Sequence, residues 1–312
     1  MPTMKAIRIH EYGGTEVLRL EDAPRPTPGA GEVLIRVHAT SVNPVDWKVR
    51  AGHAKGYLKY NMPFIPGWDV SGVIESVGSG VSRLKVGDEV YSRPDISRDG
   101  AYAEYIAVRE SEVALKPKSI DHVHAAVIPL AALTAWQALF DGAKLSSGQT
   151  VLIHGAAGGV GTFAVQFAKM KGARVIATAS KRNHDFLRSL GADELIDYTT
   201  TKFEDVVHGV DAVLDTITGE TADRSYGVIK KGGVYVSILA PPNMEKCAAL
   251  GIRGHHTFVQ ANPEQLAEIA KLVDSGKLTL TIEKVFPLTE AAAAQQLNAQ
   301  GHTRGKIAIR VI

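Results

Sequence analysis

Cysteine is nearly missing from this 312-residue chain, which has a single one, Cys247. One thiol closes no internal disulfide and builds no multi-thiolate metal site. Long apolar runs are missing too. None approaches the roughly 20 residues that span a bilayer, and the opening MPTMKAIRIHEYGG has no signal-like apolar segment, so a soluble, cytoplasmic protein without a membrane partner is expected. Nor is there an excess of one charge: 35 Lys and Arg against 33 Asp and Glu leave a formal +2. So small a balance argues against a nucleic-acid partner. No GxSxG elbow supports a serine nucleophile, and no Walker loop is present. The 11 histidines are scattered, and His255-His256 read as exposed or satisfied core residues rather than metal ligands.

Hydrophobic residues make up 45% and charged residues 22%, an ordinary globular balance. The length favours about two domains, with room for a cleft. Residues 1 to 125 read as short β-branched runs broken by Gly, Pro and Asp, such as EVLIRVHATSV and DVSGVIESVG, and predict a barrel-like β domain. From 126 to 262 strand-length runs alternate with helix-length segments: TVLIHG (150–155), RVIATA (174–179), ELIDY (194–198), DAVLDT (211–216) and GVYVSIL (233–239). That alternation predicts parallel βαβ units. Val160, Phe163, Ala164, Phe167 and Met170 recur at helical spacing and predict one apolar face on the sheet. Residues 263 to 312, with Asn262 just before them as cap, hold a capped amphipathic helix, NPEQLAEIAKLVDSGKL, and a closing strand, KIAIRVI, read as returning to the first domain.

The strongest local signal is Gly155-Ala156-Ala157-Gly158-Gly159-Val160-Gly161, set between an apolar strand and an amphipathic helix. In that context Gly158, Gly159, Val160 and Gly161 predict a turn whose amides approach a pyrophosphate at the helix start. NAD sites place Asp or Glu about 20 residues further on. Here the stretch is Thr178-Ala179-Ser180-Lys181-Arg182, with no carboxylate. A hydroxyl and two cations suit a 2′-phosphate, so NADPH is the expected cofactor.

The segment from Gly148-Gln149-Thr150 through Gly158-Gly159-Val160-Gly161 to Gln166 and Lys169 resembles the signature of the quinone oxidoreductase (zeta-crystallin-like) group, zinc-independent members of the medium-chain dehydrogenase/reductase family. SVNPVDWKVRAG, PFIPGWDVSGVIESVGSGV, LKVGDEVY, LTAWQAL, LGADELIDY and GKIAIRV extend the resemblance over nearly the whole chain. It implies an α/β protein: a β-rich GroES-like catalytic domain plus a Rossmann domain with a doubly wound parallel sheet. Zinc members carry Cys, and a His-Glu pair, where this chain has Asn43 and Trp68-Asp69. No set of three zinc ligands is evident.

By position, the resemblance sets Asn43 and Thr134 near the nicotinamide and Tyr198, with Lys181, beside the 2′-phosphate. It places Ile238 and Leu239 under the nicotinamide ring and Phe258 and Val259 near its amide. Plainer roles are ordering the NP turn for Asn43, capping a helix for Thr134, and filling a half-buried strand position for Tyr198. Reduction of a quinone or α,β-unsaturated carbonyl needs a stabiliser for the charge on oxygen and a proton donor. Lys48, Tyr57 and Tyr60 are the candidates, although relatives often have tyrosine at the position of Lys48. Reduction of simple ketones or aldehydes, and a non-catalytic NADPH-binding sensor or structural role, are the competing readings. The resemblance also implies a homodimer, paired through the sheet edge near 253 to 259.

Overall fold

The computed structural model describes residues 2–56 and 58–312. They form two compact units, one running to Leu130 and resuming over Ala261–Ile312, the other spanning Ala131–Gln260.

The first unit opens with the antiparallel pair β1 (Thr3–Arg8) and β2 (Arg19–Pro24). Its central strand is β3 (Glu32–Val42), in which Val33, Ile35, Val37 and Ala39 are buried at every second position while Arg36 faces solvent. Alternation with a period of two puts these side chains on one face of the sheet. After helix α1 (Pro44–Arg50), β4 (Val70–Val77) pairs with β3, then β5 (Glu89–Ser92) with β4. Strand β6 (Tyr105–Arg109) joins β3 and β7 (Val113–Leu115) joins β5, all antiparallel. A short helix, α2 (His122–Ala126), packs on β3. Val33, Ile35, Val37, Val70, Ile74, Val90, Ile106 and Val108 make one dry core.

The second unit takes α3 (Pro129–Trp136), continued by a π-helical stretch over Gln137–Gly142, into a six-stranded parallel sheet. Along the chain follow β8 (Thr150–Ile153), α4 (Gly159–Met170), β9 (Arg174–Thr178), α5 (His184–Ser189), β10 (Glu194–Ile196), β11 (Val210–Asp215), α6 (Glu220–Ser225), β12 (Ile229–Ser237), α7 (Met244–Leu250) and β13 (Arg253–His256). The spatial order is β10-β9-β8-β11-β12-β13, so the chain leaves β8 toward one edge and returns to its other side with β11. That reversal is the switch point of a doubly wound sheet, the fold class expected. Both faces are covered, and Val151, Leu152, Ile153, Val175, Val213 and Val234 are buried as continuous runs. The apolar face of α4 differs from the prediction: Phe163, Ala164 and Phe167 are buried, but Val160 is half-buried and Met170 is 41% exposed at the helix end. Burial of Thr162, Val165, Gln166 and Ala168 as well shows a helix surrounded on nearly every side over its middle turns.

The chain then re-enters the first unit. Helix α8 (Pro263–Asp274) begins where Asn262 Oδ1 accepts the Gln265 amide at 2.8 Å, with Pro263 in its first turn. Strand β14 (Ile282–Pro287) lies parallel to β15 (Lys306–Arg310), with α9 (Ala291–Ala299) between them in sequence, and β15 pairs antiparallel with β3. Among the described residues no helix is long and apolar enough to cross a membrane.

Candidate functional site

The glycine-rich turn lies at the carboxyl end of β8, beside the switch point. Gly155 has φ +62°, and a Cβ there would lie 2.4 Å from Thr216 Oγ1. Only glycine meets both demands. A Cβ on Gly161 would fall 2.5 Å from the Ala156 Cα, so this glycine sets how closely α4 approaches the strand it follows. Gly158 precedes α4 with extended backbone, and the first intrahelical bond runs from Thr162 to its carbonyl. The amides of the first turn therefore have no partner within the helix. A shaped turn, open amides and a 12-residue helix dipole fit a pyrophosphate.

Strands β9 and β10 end on the same edge. Ser180 precedes a 3-10 turn over Lys181–Asn183, and Lys181 and Arg182 are exposed. Strand β10 stops at Ile196, two residues before the predicted end, because Asp197 Oδ1 turns to accept the Thr199 amide at 3.0 Å and its hydroxyl at 2.7 Å. Tyr198 is thus released from the sheet and is 56% exposed, which removes the strand-filling role for it. The same turn brings in a carboxylate that spacing along the sequence did not suggest. The Lys181 amide donates to Asp197, whose carboxyl is held below its usual range first by the Thr199 hydroxyl and amide.

Beyond the switch point, β11 ends in Asp215, which is fully buried. Its Oδ1 accepts the Ile217 and Thr218 amides at 2.7 and 3.0 Å, and its Oδ2 accepts the Tyr235 hydroxyl at 2.5 Å. These bonds hold the Ile217–Gly219 loop beside Gly155, with Thr218 at φ +66°. A non-glycine residue there stores strain. Nothing in the local sequence marks this loop, because a threonine gives no sign of a left-handed backbone. Ile238 and Leu239 follow β12, and their backbones are tied to the Asp215 carbonyl and the Ser237 hydroxyl. Phe258 and Val259 follow β13, Phe258 being 53% exposed. Thr134 is buried inside α3 rather than at its start, so capping is not its role.

Under the turn, His154 bridges the Thr178 and Ser225 hydroxyls at 3.1 and 3.0 Å. Ser225 donates to the Thr221 carbonyl, so His154 Nε2 is the donor to Ser225 and Nδ1 accepts from Thr178. Burial holds this imidazole neutral, down to about 4.

The first unit carries a separate buried polar cluster centred on Asn43, the residue that opens α1. Asn43 Nδ2 donates to Asp69 Oδ2 at 2.7 Å, its Oδ1 accepts from the Lys306 ammonium, and its backbone amide donates to Asp46 Oδ2 at 2.8 Å. Asp69 also accepts from the Ser41 hydroxyl at 2.5 Å and the Leu130 amide at 2.7 Å. Tyr102 donates to Asp46 at 3.0 Å. Burial pushes the Asp46 carboxyl up to about 7, and it pulls the Lys306 ammonium down against the opposing pull of Asp69 and Asp46. Lys306 and Tyr102 had no distinguishing signal; lysine inside a strand next to a glycine reads as surface until the strand is placed.

Lys48, near the end of α1, is half-buried, with its ammonium 5.6 Å from the centre of the Trp47 ring. Burial lowers it from the ordinary lysine range. Tyr60 stacks on Phe64 at 4.1 Å and donates its hydroxyl proton to the Ile96 carbonyl at 2.6 Å. Tyr57 lies outside the described residues. Among the described residues no three His, Cys, Asp or Glu side chains gather as a metal ion requires.

A β-rich unit joined to a doubly wound sheet, with a glycine turn at the switch point, is the architecture of a two-domain dinucleotide-dependent dehydrogenase or reductase. Residues 29–118 match the family model described as alcohol dehydrogenase GroES-like domain, and residues 190–309 the one described as zinc-binding dehydrogenase. The NADPH-dependent alkenal/one oxidoreductase of Arabidopsis thaliana chloroplasts is 38% identical over 98% of this chain and 79% of its own. The mitochondrial NAD(P)H oxidoreductase RTN4IP1 of Mus musculus is 36% identical over 99% of this chain and 89% of its own. The solved quinone oxidoreductase of Coxiella burnetii superposes with a TM-score of 0.94 at 37% identity, covering 100% of both chains. The chain belongs to the quinone oxidoreductase family of medium-chain dehydrogenases/reductases and is an oxidoreductase of that family.

Proposed function

We propose that this protein is an NADPH-dependent, zinc-independent reductase of quinones or α,β-unsaturated carbonyls. The observation that carries this reading is the carboxyl edge of the parallel sheet, where the Gly155–Gly161 turn follows β8 and the neighbouring strands β9 and β10 are followed by Ser180-Lys181-Arg182 and Tyr198. In this reading the amides of Gly159, Val160 and Gly161 hold the pyrophosphate, and Gly158, whose own amide donates to the Gly155 carbonyl at 3.0 Å, shapes the turn against it. Ser180, Lys181, Arg182 and Tyr198 border the 2′-phosphate, the two exposed cations outweighing one Asp197 carboxylate whose Oδ1 already accepts from Thr199. Ile238 and Leu239 support the nicotinamide ring, Phe258 and Val259 its amide, and Asn43 and Thr134 sit beside it. Bound NADPH supplies the hydride. Lys48 delivers the proton, since its ammonium is partly desolvated while the Tyr60 proton is committed to a carbonyl. Zinc independence rests on the donor set: Asn43 and Trp68-Asp69 occupy the ligand positions, and the Lys306 ammonium already lies among these side chains.

Calorimetric titration with NADPH and NADH in parallel tests the reading. The expected result is a preference for NADPH of about ten- to a hundredfold, the contribution of one or two charge-assisted bonds, abolished in Lys181→Ala/Arg182→Ala. Equal affinity for both cofactors would remove the 2′-phosphate site. An acceptor screen follows. NADPH binding without oxidation by any quinone, enone, ketone or aldehyde would favour a sensor, and turnover of simple ketones alone the carbonyl-reductase alternative. Pairing of two copies through β13 belongs to the same reading, and a solution mass near 33.4 kDa would count against it.

A further inference from the structure

Three ionisable side chains from separate parts of the first unit converge on one neutral residue, two on its side-chain amide and one on its backbone N–H. Asp46 comes from α1, Asp69 from the residue before β4 and Lys306 from β15, and Asn43, 2% exposed, lies at their centre. Lys306 also reaches the Val42 carbonyl at 3.1 Å and Asp69 Oδ2 at 3.5 Å. Burying an ammonium and two carboxylates is costly, and well-packed apolar residues of similar volume often serve a core as well or better. The helix start does not require this arrangement. Its backbone bond from Asp46 to the Asn43 carbonyl, 2.9 Å, and the Asp46 carboxylate on the Asn43 amide already close it.

What the charges do fix is the orientation of the Asn43 side chain. An ammonium has no acceptor and must face Oδ1; an ionised carboxylate has no donor and must face Nδ2. With Oδ1 facing the Lys306 ammonium and one Nδ2 hydrogen on Asp69, the second Nδ2 hydrogen is the donor this side chain retains for a ligand. Withdrawal of electron density through Oδ1 makes that hydrogen a stronger donor. We propose that Lys306 is a positioning residue that, with Asp69, locks the Asn43 amide as a hydrogen-bond donor to the carbonyl oxygen of the electron acceptor. This rests on the reading above, in which Asn43 lies beside the reacting centre. Because negative charge grows on that oxygen as reduction proceeds, a fixed donor stabilises the transition state more than the ground state. The effect therefore belongs in kcat rather than in cofactor affinity.

The experiment compares wild type, Lys306→Met and the charge-neutral pair Asp69→Asn/Lys306→Met by thermal melting, NADPH titration and steady-state kinetics with a quinone and an enone. Single replacement leaves Asp69 without its cation and is expected to melt lower; the pair restores neutrality and is expected to recover much of that loss. Both are expected to lose about tenfold or more in kcat, the scale of a misdirected oxyanion donor, with the NADPH Kd within twofold of wild type. A folded pair with wild-type kcat would overturn the proposal, as would a loss confined to the NADPH Kd, which would make Asn43 a cofactor contact. Failure of both variants to fold would make the cluster a folding element and end the proposal. Wild-type protein that binds NADPH yet reduces neither acceptor would instead sink the functional reading on which it stands.

Discussion

In the proposed function Lys48 and Asp197 each act on the chemistry as single side chains. A general acid must carry its proton, so catalysis that depends on Lys48 falls as pH rises through the burial-lowered lysine value. Replacing Lys48 with Met is expected to lower kcat about a hundredfold, the lower range for a lost proton donor, and to erase that alkaline limb. A kcat–pH profile with the limb unchanged would assign the proton to another group. Asp197 lies against the Lys181 amide, on the side where a 2′-phosphate is proposed. Asp197→Asn keeps the shape and removes the like charge, so NADPH should bind tighter while NADH is little affected, a difference that parallel titrations read directly.

At the scale of elements, the turn between β8 and α4 and the loop after β11 are one packed assembly. Valine at position 161 would press a side chain onto the Ala156 backbone, which cannot retreat from between strand and helix. Overpacking of this kind costs about 1–3 kcal/mol. Gly161→Val should lose that much in urea denaturation and lose NADPH binding as well, because α4 moves with its amides. Across the switch point, the Tyr235 hydroxyl is the only side-chain donor seen on Asp215 Oδ2 among the described residues. Tyr235→Phe leaves a buried carboxylate short of a partner at a cost of about 2 kcal/mol, and the Ile217–Gly219 loop should show faster amide exchange than α4. Unchanged exchange in that loop would mean that Asp215 is held sufficiently by its two backbone bonds.

Stability of the whole molecule is tied to pH through buried groups. His154 and His122 titrate near 4 in the folded chain, each displaced first by burial, against an ordinary value of 6.5. The unfolded chain therefore binds more protons between about 6.5 and 4. Stability from these two histidines is complete above 6.5 and lost as pH falls toward 4. Asp46 acts in the opposite sense, since its carboxyl is raised to about 7 and the folded chain takes up its proton first as pH falls. A variant isolates one contribution: His154→Gln should melt lower at neutral pH, from its lost bonds, yet show a shallower decline of Tm between pH 6.5 and 4. Parallel Tm–pH curves for variant and wild type would mean that His154 does not titrate in that window.

The strand-helix alternation of the second unit and its glycine turn were legible in the residues alone, because period, length and glycine spacing are local properties. The doubly wound class followed from these, and the Asn262-capped helix α8 was legible for the same reason. Details that depended on neighbours were not. Met170 keeps helical spacing but lies past the point where the sheet covers α4. The end of β10 was set by Asp197 folding back on Thr199, and the carboxylate this brings to Lys181 is 16 residues away along the chain. The Asn43 cluster was decided by tertiary structure alone. Lys306 is separated from Asn43 by most of the chain and reaches it only because β15 pairs with β3, which fixes which buried charges meet.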